Sequence, residues 1–552
     1  MNAGLMAKTK EIAKGYINNV LFVDDEITFL DDEKYSYRSG DGCRNILNGC
    51  QVTQALACQK ISSSFYMYSS IDGRDNILNL IDNSDVLVLD WKFIFSEEKT
   101  SDEAVDIHKD DGEEDVGEED VDDDSGRGRH ALELLKEILS KTYSNPKLII
   151  IYTGEINPEG IVDDLETLPN GHCENYRWLS DDESVCISIY FKIGLKNTHA
   201  PKIVKERTVD YPELPELIID EFSRLHCGLI SNAILKSISA IRHNTNKLLN
   251  SFSKRLDPAF VAHRAMCSNP DDAGELLQVT IADAFNAVLS YDDIPKVVDS
   301  DSVENWINSN SWLDTQTIKI NKKEIAIDRC GLIDWQKQGY SQFFINKYNE
   351  THDQELSDKK LEIYDRNGKF KKDSVCCFCP EHSKAERIHE DFSILTHHKS
   401  IFLSNGFLPM LTLGTVLKKD SESFLLCIQQ KCDSVRLKPD ESRNFLFLNL
   451  ETIPEGDKAF DLLYKDGNET TRLKICNNSC HQLQVIQFKD FEGRGFVEAS
   501  SVSNKLVFKD SFENELLWLF DLKESHAQKI ANEFAATLSR VGIDQSEWLR
   551  RN

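Results

Sequence analysis

The sequence predicts an α/β fold for the first part of the chain, with a doubly wound parallel sheet, followed by a helical segment and an α+β C-terminal region. Three observations support the sheet. Short continuous apolar runs, typical of strands buried on both faces, recur in this part of the chain. A segment with apolar residues at helical spacing separates two of these runs. Polar residues follow the runs, as functional groups do at the carboxyl ends of parallel strands.

The predicted elements are as follows in chain order. The strand-like runs are Val20–Glu26 (VLFVDDE), Asp85–Trp91 (DVLVLDW), Leu148–Gly154 (LIIIYTG) and Val185–Gly194 (VCISIYFKIG), with a predicted helix at His130–Thr142. From Pro212 to about Ser290 the apolar residues recur at helical spacing, and beyond Trp306 short strands and turns dominate. We therefore expect four parts: a domain at residues 1–205, a helical linker or bundle at 206–300, an α+β domain at 301–510, and helices at 511–552.

Composition restricts the class of protein. The chain has 552 residues, 40% hydrophobic and 28% charged, which is enough apolar material for several packed cores. The net charge of -29 disfavours binding to nucleic acid, because the field of the protein would repel phosphates. No apolar segment is long enough to span a membrane or to serve as a signal peptide, and the fifteen cysteines are scattered. We expect a soluble, cytoplasmic protein that does not act at a membrane.

A strongly acidic segment interrupts the predicted sheet domain. The segment from Glu97 to Asp124 contains sixteen acidic residues and two lysines, Lys99 and Lys109, for a net charge of -14. The segment has few apolar residues and no periodicity, so we expect a solvated, disordered insertion at residues 97–124. An electrostatic role for it stays open beside the simpler interpretation of a flexible loop.

Five polar residues at the ends of the predicted strands have the chemistry that phosphoryl transfer to a carboxylate requires. Asp24, Asp25 and Asp90 supply oxygen ligands for Mg²⁺, and Asp90 is also the candidate nucleophile. Lys192 supplies a cation for the phosphoryl charge, and Thr153 supplies a hydroxyl donor. Without phosphate, Lys192 would offset the repulsion among the three carboxylates.

These residues resemble the receiver domains of bacterial two-component systems, in the order acidic pair, phosphoacceptor aspartate, threonine, lysine. The resemblance extends from about Asn18 to Gly194 and implies a (βα)5 receiver-like sheet with Asp90 as the phosphoacceptor. The motif residues are widely spaced: 65 positions separate Asp25 from Asp90, 63 separate Asp90 from Thr153, and 39 separate Thr153 from Lys192. These spacings imply insertions in three loops. We expect these insertions at Tyr35–Gln59, in the acidic segment, and at Pro169–Asp182. The competing interpretation is an unrelated doubly wound domain with ordinary polar residues at its strand ends.

Two positions depart from the receiver pattern. Receivers usually have a proline after the strand-end lysine, and this chain has Ile193. They also tend to have an aromatic switch residue three positions before that lysine, where this chain has Ile189. The phosphorylation chemistry is therefore expected to be intact, whereas a conventional conformational output is not supported.

A zinc site is a weaker candidate in the C-terminal region. Cys376, Cys379 and His382 lie close together in VCCFCPEH, and they have ligand types that Zn²⁺ prefers. No second tight ligand pair accompanies them, so buried free thiols and a surface histidine explain the same residues. The C-terminal region has no DNA-binding or catalytic motif that would identify an output.

The sequence thus predicts a phosphoacceptor and not an enzyme, phosphorylated on Asp90 by a separate histidine kinase. The layout resembles the large receiver proteins of anti-phage two-component operons, of which the phosphate-buffer component of the Detocs defence system is an example. That resemblance implies a phosphate sink that competes with a second, effector-bearing receiver. Two alternatives stay open: a response regulator with an unrecognised C-terminal effector, and a scaffold with a degenerate receiver.

Overall fold

The computed structural model divides the chain into two compact units, Met1–Ser311 and Trp312–Asn552. Within them it describes residues 3–29, 46–93, 128–141, 147–192, 200–267, 269–270, 272–320, 323–351, 356–365, 374–399, 407–420, 422–438, 441–454, 460–467, 469–476, 482–491, 493–503 and 505–538. The predicted disordered insertion at 97–124 lies outside these residues. Among the residues that the structure describes, no helix is both long and apolar enough to cross a membrane.

The first unit is built on a mixed sheet with helices on both faces. Its strands are β1 (Asn19–Asp24), β2 (Ile27–Thr28), β3 (Leu47–Asn48), β4 (Ser62–Met67), β5 (Val86–Leu89), β6 (Lys147–Thr153), β7 (Gly171–Glu174), β8 (Arg177–Ser180), β9 (Val185–Lys192) and β10 (Thr208–Val209). Its helices are α1 (Ala3–Tyr16), α2 (Gly49–Cys58), α3 (Arg74–Ile81), α4 (Arg129–Ser140), α5 (Pro158–Glu166), α6 (Lys202–Glu206), α7 (Leu214–Leu225), α8 (Leu229–Ser251), α9 (Asp257–Met266), α10 (Asp272–Tyr291) and α11 (Ser300–Ser309).

The five central strands are parallel, in the order β4-β1-β5-β6-β9. The chain visits them in the order β1, β4, β5, β6, β9, so the sheet is doubly wound with its switch point beside β1. The four strands predicted from continuous apolar runs are confirmed within two residues at either end. The edge strand β4 escaped prediction, because its sequence SSSFYM is polar and it is only half-buried.

Alternate side chains of each central strand enter two separate cores, as expected for a sheet covered on both faces. Leu21 and Val23 pack with α3, α4 and α5, whereas Val20 and Phe22 pack with α1, α2 and α7. This division explains why the strands read as uninterrupted apolar runs. The arrangement is consistent with a receiver-like fold. Because the central strands are parallel, their carboxyl ends lie at one edge of the sheet.

Two of the three expected insertions contain regular structure. The stretch Pro169–Asp182 includes the hairpin β7–β8, and β8 pairs with β9 in the antiparallel direction. In the stretch Tyr35–Gln59, the interpretation of an inserted loop is wrong for Gly49–Cys58, which is helix α2. The Asn48 side chain caps this helix by accepting the backbone N–H of Gln51, a local signal typical of helix starts.

Helices follow the sheet, as expected for residues 206–300, but the first of them belongs to its core. Helix α7 packs Leu214, Ile218 and Phe222 onto the same sheet face as Phe22. Helix α8 contacts α1, and the buried residues of α8 lie in its first half, up to Ala240. Residues beyond 205 therefore complete the layer of helices that covers this face of the parallel sheet.

The second unit combines short helices with antiparallel sheets. Its strands are β11 (Thr315–Ile320), β12 (Lys323–Asp328), β13 (Thr415–Lys418), β14 (Phe424–Cys427), β15 (Ser442–Ile453), β16 (Leu462–Asp466), β17 (Glu469–Ile475), β18 (Leu483–Lys489), β19 (Ser500–Val502), β20 (Lys505–Lys509) and β21 (Glu515–Asp521). Its helices are α12 (Arg329–Gln338), α13 (Tyr340–Thr351), α14 (Asp358–Tyr364), α15 (His382–His397) and α16 (Glu524–Leu538).

The larger sheet of this unit has the order β16-β17-β15-β14-β13-β21-β20-β19, with β18 also paired to β15. The expectation of helices throughout 511–552 is wrong at Glu515–Asp521, which is strand β21 and pairs with β13 and β20. Its apolar run LLWLF is too short to distinguish a strand from a helical turn by periodicity. The helix begins at Glu524.

A buried ion pair attaches α15 to the larger sheet, and we predict its effect on stability. Arg472 on β17 donates from Nη2 to Glu390 at 2.8 Å, and both side chains are buried. We expect Arg472→Met to lower the unfolding free energy of this unit by about 3 kcal/mol, because Glu390 would stay buried without its cation. The matched control is Lys465→Met, since Lys465 pairs with exposed Asp391 on the same helix and should cost less than about 1 kcal/mol. Equal losses in denaturant unfolding would contradict the prediction.

Candidate functional site

The sheet topology gathers the predicted site residues at one edge. Asp24 ends β1, Thr153 ends β6, Lys192 ends β9, and Asp90 directly follows β5. The backbone N–H of Asp90 donates to the carbonyl of Val23 at 2.9 Å, which holds the two strand ends in register. Residues separated by up to 168 positions in sequence therefore meet at the carboxyl edge of the sheet.

The ammonium of Lys192 lies between two carboxylates. Its Nζ is 2.7 Å from Asp24 Oδ2 and 2.6 Å from Asp90 Oδ2. All three side chains are more than nine-tenths buried. Because isolated charges are costly to bury, this cation stabilises both acids inside the domain. The sequence-based expectation that Lys192 offsets the carboxylate repulsion agrees with this geometry.

Backbone amides hold the remaining oxygens of the two carboxylates. The N–H of Glu26 donates to Asp24 Oδ1 at 2.9 Å, and the N–H of Trp91 donates to Asp90 Oδ1 at 2.7 Å. Asp90 thus has one oxygen fixed by the backbone and one in contact with Lys192. This arrangement fixes the orientation of the carboxylate that the sequence assigns as the nucleophile.

Burial and charge change the proton affinities at the site. Burial raises the pKa of Asp24 to about 7, with the Lys192 ammonium opposing the rise and the neighbouring Asp90 adding to it. For Lys192, burial alone would lower the pKa, but the Asp24 and Asp90 carboxylates outweigh burial and raise the pKa. The lysine therefore remains charged near neutral pH, and the Asp24 carboxylate has a higher proton affinity than an exposed aspartate.

The acidic residues fit a divalent cation. Asp24, half-buried Asp25 and Asp90 can each offer a carboxylate oxygen, and these oxygens lie within 4.8 Å of one another. Carboxylate oxygens are hard ligands, of the type that Mg²⁺ binds in combination with water. The structure thus brings together the three residues that the sequence predicts as metal ligands, and their donor atoms suit that ion.

Thr153 lies at the same edge with its side chain fully buried. Its Oγ1 accepts the backbone N–H of Glu155 at 3.2 Å, which leaves the hydroxyl hydrogen available for donation. The register between β6 and β9 places Thr153 opposite Phe191, one residue before Lys192. Thr153 therefore ends the strand that neighbours the one ending in Lys192, at the same edge of the sheet.

Two described residues on either side of the acidic segment, Trp91 and Gly128, are in contact next to the site. Trp91, which follows the predicted nucleophile, is buried, and its indole ring lies against Gly128, where the described chain resumes after the acidic segment. A Cβ atom added to Gly128 would lie 2.3 Å from Trp91 Nε1, so a larger residue there would displace the ring. Sequence analysis missed this contact, because a lone glycine after a charged run carries no signal for its partner.

The two departures from the receiver pattern have different outcomes. Ile189 is fully buried in the core formed with α3, α4 and α5, and it carries no hydroxyl that could reach the site. The neighbouring Tyr190 points to the opposite core and donates from its hydroxyl to Glu221 at 2.8 Å. Ile193 lies outside the described residues. The position of the usual aromatic switch is thus occupied by a core aliphatic residue.

The segment of the predicted zinc site brings a buried cysteine near a histidine. Cys379 is buried, and its Sγ is 3.9 Å from Nε2 of His389, a histidine seven residues after His382. The side chain of His382 lies outside the part of the chain that the structure describes. Burial raises the pKa of the Cys379 thiol, and the charge of Cys376 adds to the rise, which opposes thiolate formation when no metal is bound.

Comparison with known proteins identifies one family in the first unit. Residues 16–188 match the family model described as a response receiver domain, which is about a third of the chain. No curated protein and no solved structure matches the chain. The matched range contains Asp24, Asp25, Asp90 and Thr153 and ends before Lys192. Together with the strand order and the geometry of the site, this match supports a receiver domain in the N-terminal part of the chain.

Proposed function

We propose that this protein is a phosphoacceptor that receives a phosphoryl group on Asp90 from a separate histidine kinase. The observation that carries the proposal is the contact of Lys192 with both Asp24 and Asp90 at the carboxyl edge of the sheet. A buried lysine between two acids, with a third acid and a threonine hydroxyl nearby, provides both a nucleophile and the charge that phosphate requires.

The transfer step follows from the positions of these groups. Asp90 Oδ2 attacks the phosphorus of a phosphohistidine, a P–O bond forms, and the P–N bond breaks as the imidazole leaves and takes up a proton. Lys192 then exchanges its contact with the free carboxylate for a contact with a phosphoryl oxygen, and Thr153 donates its hydroxyl to another. The Trp91 amide keeps Asp90 Oδ1 in place throughout the exchange.

Asp24, Asp25 and Asp90 would hold Mg²⁺ at this edge. When bound, the ion supplies positive charge that offsets the phosphoryl oxygens during transfer. Under this proposal the protein acts in signalling and does not turn over a separate substrate as an enzyme would.

We further propose that the phosphorylated protein acts as a phosphate buffer in bacterial anti-phage defence. The resemblance in layout to the Detocs buffer component motivates this role, in which the protein competes with an effector-bearing receiver for the kinase. The buried Ile189 supports it, since a sink requires the phosphorylation chemistry but no aromatic switch.

The chemistry is tested by incubating the purified full chain with acetyl phosphate, with and without Mg²⁺, and measuring its intact mass. We expect a Mg²⁺-dependent gain of one phosphoryl group that is absent in Asp90→Asn. A known receiver labelled in parallel controls for the donor. If neither protein gains mass while the control does, Asp90 is a structural acid, and the scaffold alternative is favoured.

The buffer role needs a separate test in cells that carry the complete operon. We expect Asp90→Asn to cause toxicity that requires the kinase and the second receiver, because phosphoryl groups would no longer be diverted. Toxicity of Asp90→Glu expressed alone, lost on removal of the second unit, would instead identify a response regulator with its own effector.

The affinity for Mg²⁺ should depend on pH. Because burial raises the pKa of Asp24 to about 7, this acid is protonated below that pH and must release its proton to bind a cation. We expect binding at pH 6 to be weaker and to release about one proton, and binding at pH 8.5 to release almost none. Calorimetry in two buffers of different ionisation enthalpy measures the number of protons. An affinity unchanged over this range would contradict the assignment of Asp24 as a ligand.

A further inference from the structure

His243 is an exposed histidine on α8 whose ring is held in one orientation. Its Nδ1 lies 2.7 Å from the backbone carbonyl of Ser239, one turn earlier on the helix, and 3.2 Å from the Ser239 hydroxyl. That hydroxyl donates to the carbonyl of Gly15 at 2.7 Å, so both oxygens near Nδ1 act as acceptors. In the neutral ring Nδ1 therefore carries the hydrogen and Nε2 carries the lone pair. Nε2 is thus the nucleophilic atom of this side chain.

The histidine shares an open pocket with a fixed cation. The pocket has a volume of about 310 Å³, and its lining residues are Asn18, Arg242, His243 and Thr245. The guanidinium of Arg242 donates to the carbonyl of Tyr16 and to Asp85, both at 3.0 Å, and it lies 4.6 Å from the centre of the Tyr16 ring. A guanidinium has five N–H donors, so Arg242 has further N–H groups for an anion in the pocket.

The charges beside His243 suit a phosphoryl group. Lys247 follows His243 by four positions on α8, and residues at this spacing are neighbours on a helix surface. The acid in contact with Arg242 is Asp85, whose side chain is buried. Asp85 also accepts two backbone N–H groups at the start of β1, at 2.7 and 3.2 Å, so its negative charge is satisfied within the domain. An anion on Nε2 would therefore lie beside two cations.

We propose that His243 is a second phosphoacceptor of this chain, which takes a phosphoryl group on Nε2 from the phosphorylated Asp90 of a second copy. Nε2 attacks the phosphorus, a P–N bond forms, and the P–O bond to the aspartate breaks as the carboxylate leaves with the electron pair. The ring becomes an imidazolium, and its Nδ1–H stays bonded to the Ser239 carbonyl, which stabilises the positive charge. Arg242 offsets the charge of the phosphoryl oxygens.

The donor is a second molecule because His243 and Asp90 lie at opposite edges of the sheet. Arg242, next to His243, contacts Asp85, which precedes β5, whereas Asp90 follows β5. At about 3.3 Å per residue, the five steps from Asp85 to Asp90 span about 16 Å. The phosphoryl group on Asp90 of the same chain therefore cannot reach Nε2. The proposal deepens the phosphoacceptor function and rests on it for the source of the phosphoryl group.

The first test labels His243 without using Asp90. The full chain carrying Asp90→Asn is incubated with phosphoramidate, and the phosphate bound to the protein is measured by ³¹P NMR. We expect one phosphoryl group that is stable in alkali and lost in acid, as a P–N bond to imidazole is. Adding His243→Gln to this variant should abolish the label.

The matched control is His397, another exposed histidine on a helix. Its Nδ1 lies 2.8 Å from the carbonyl of Ser393, one turn earlier, so its ring is held as that of His243 is, but the residue before it is a threonine and not an arginine. We expect His243 to be labelled about 100-fold faster than His397, because Arg242 is placed to offset the phosphoryl charge. Equal rates would show only the reactivity of any exposed histidine and would overturn the proposal.

The second test measures transfer between copies. The donor is the His243→Gln chain, phosphorylated with acetyl phosphate and Mg²⁺ and then freed of both, and the acceptor is the Asp90→Asn chain. We expect the alkali-labile label of the donor to decrease while an acid-labile label appears on the acceptor. A labelled donor that transfers nothing would overturn the proposal for His243 alone. A donor that takes up no phosphoryl group would instead contradict the phosphoacceptor function of Asp90, and with it the source assigned to His243.

Discussion

Replacing Lys192 by methionine is expected to lower the unfolding free energy of the first unit by about 3–5 kcal/mol. The substitution keeps most of the side-chain volume but removes the cation that lies 2.7 Å from Asp24 and 2.6 Å from Asp90. Two buried acids would then face each other without a counter-charge. Native-state hydrogen exchange of β1, β5 and β9 reports on this unit alone, which matters because the chain has two compact units.

The Lys192→Met protein is also expected to lose Mg²⁺-dependent phosphorylation, since the ammonium that would contact a phosphoryl oxygen is removed. Added Mg²⁺ should recover part of the lost stability, because bound ions stabilise the folded state to which they bind. The matched control is Lys202→Met, since the Lys202 side chain is 90% exposed and pairs with Glu206, and this variant should change stability by less than about 0.5 kcal/mol. Equal stability of the two variants without Mg²⁺ would contradict the structural role of Lys192.

The fold of the first unit could be predicted largely because burial on both faces leaves a strong signal. Strands β1, β5, β6 and β9 contribute continuous apolar runs, and their carboxyl ends carry the acids, the threonine and the lysine. Since parallel strands share one edge, the order of these residues in the sequence was sufficient to predict that they meet. The site residues Asp24, Asp90 and Lys192 are indeed in direct contact.

The parts that escaped prediction depend on contacts between distant residues. The polar edge strand β4 is defined by its pairing with β1, not by its own composition. Strand β21 becomes a strand because it pairs with β13 and β20, whereas its short apolar run is compatible with a helix. The close contact between Gly128 and Trp91 joins the two sides of the acidic segment, and no local pattern encodes it.

Glu221 illustrates the same limit, because its sequence context on an amphipathic helix does not indicate a buried charge. Its side chain is 1% exposed and accepts hydrogen bonds from Ser188 Oγ and Tyr190 Oη, both at 2.8 Å. It also forms ion pairs with Arg177 on β8 and with Arg224 on its own helix at 3.0 Å. One carboxylate thus connects α7 with two strands, including the strand that ends in Lys192.

We therefore expect Glu221→Leu to lower the unfolding free energy of the first unit by about 3–5 kcal/mol, because Arg177 and two buried hydroxyls would lose their common acceptor. Hydrogen exchange should accelerate most in β8 and β9. The matched control is Glu216→Leu on the same helix, whose carboxylate is half-exposed and 3.3 Å from Lys14, and which should change stability by less than about 0.5 kcal/mol. If both variants exchange at the same rate, α7 is held by its apolar face alone.

The folded fraction of Glu221→Leu should still be phosphorylated, because Glu221 supports the strand that carries Lys192 without touching Asp90. Loss of phosphorylation in fully folded protein would instead place Glu221 in the chemistry itself.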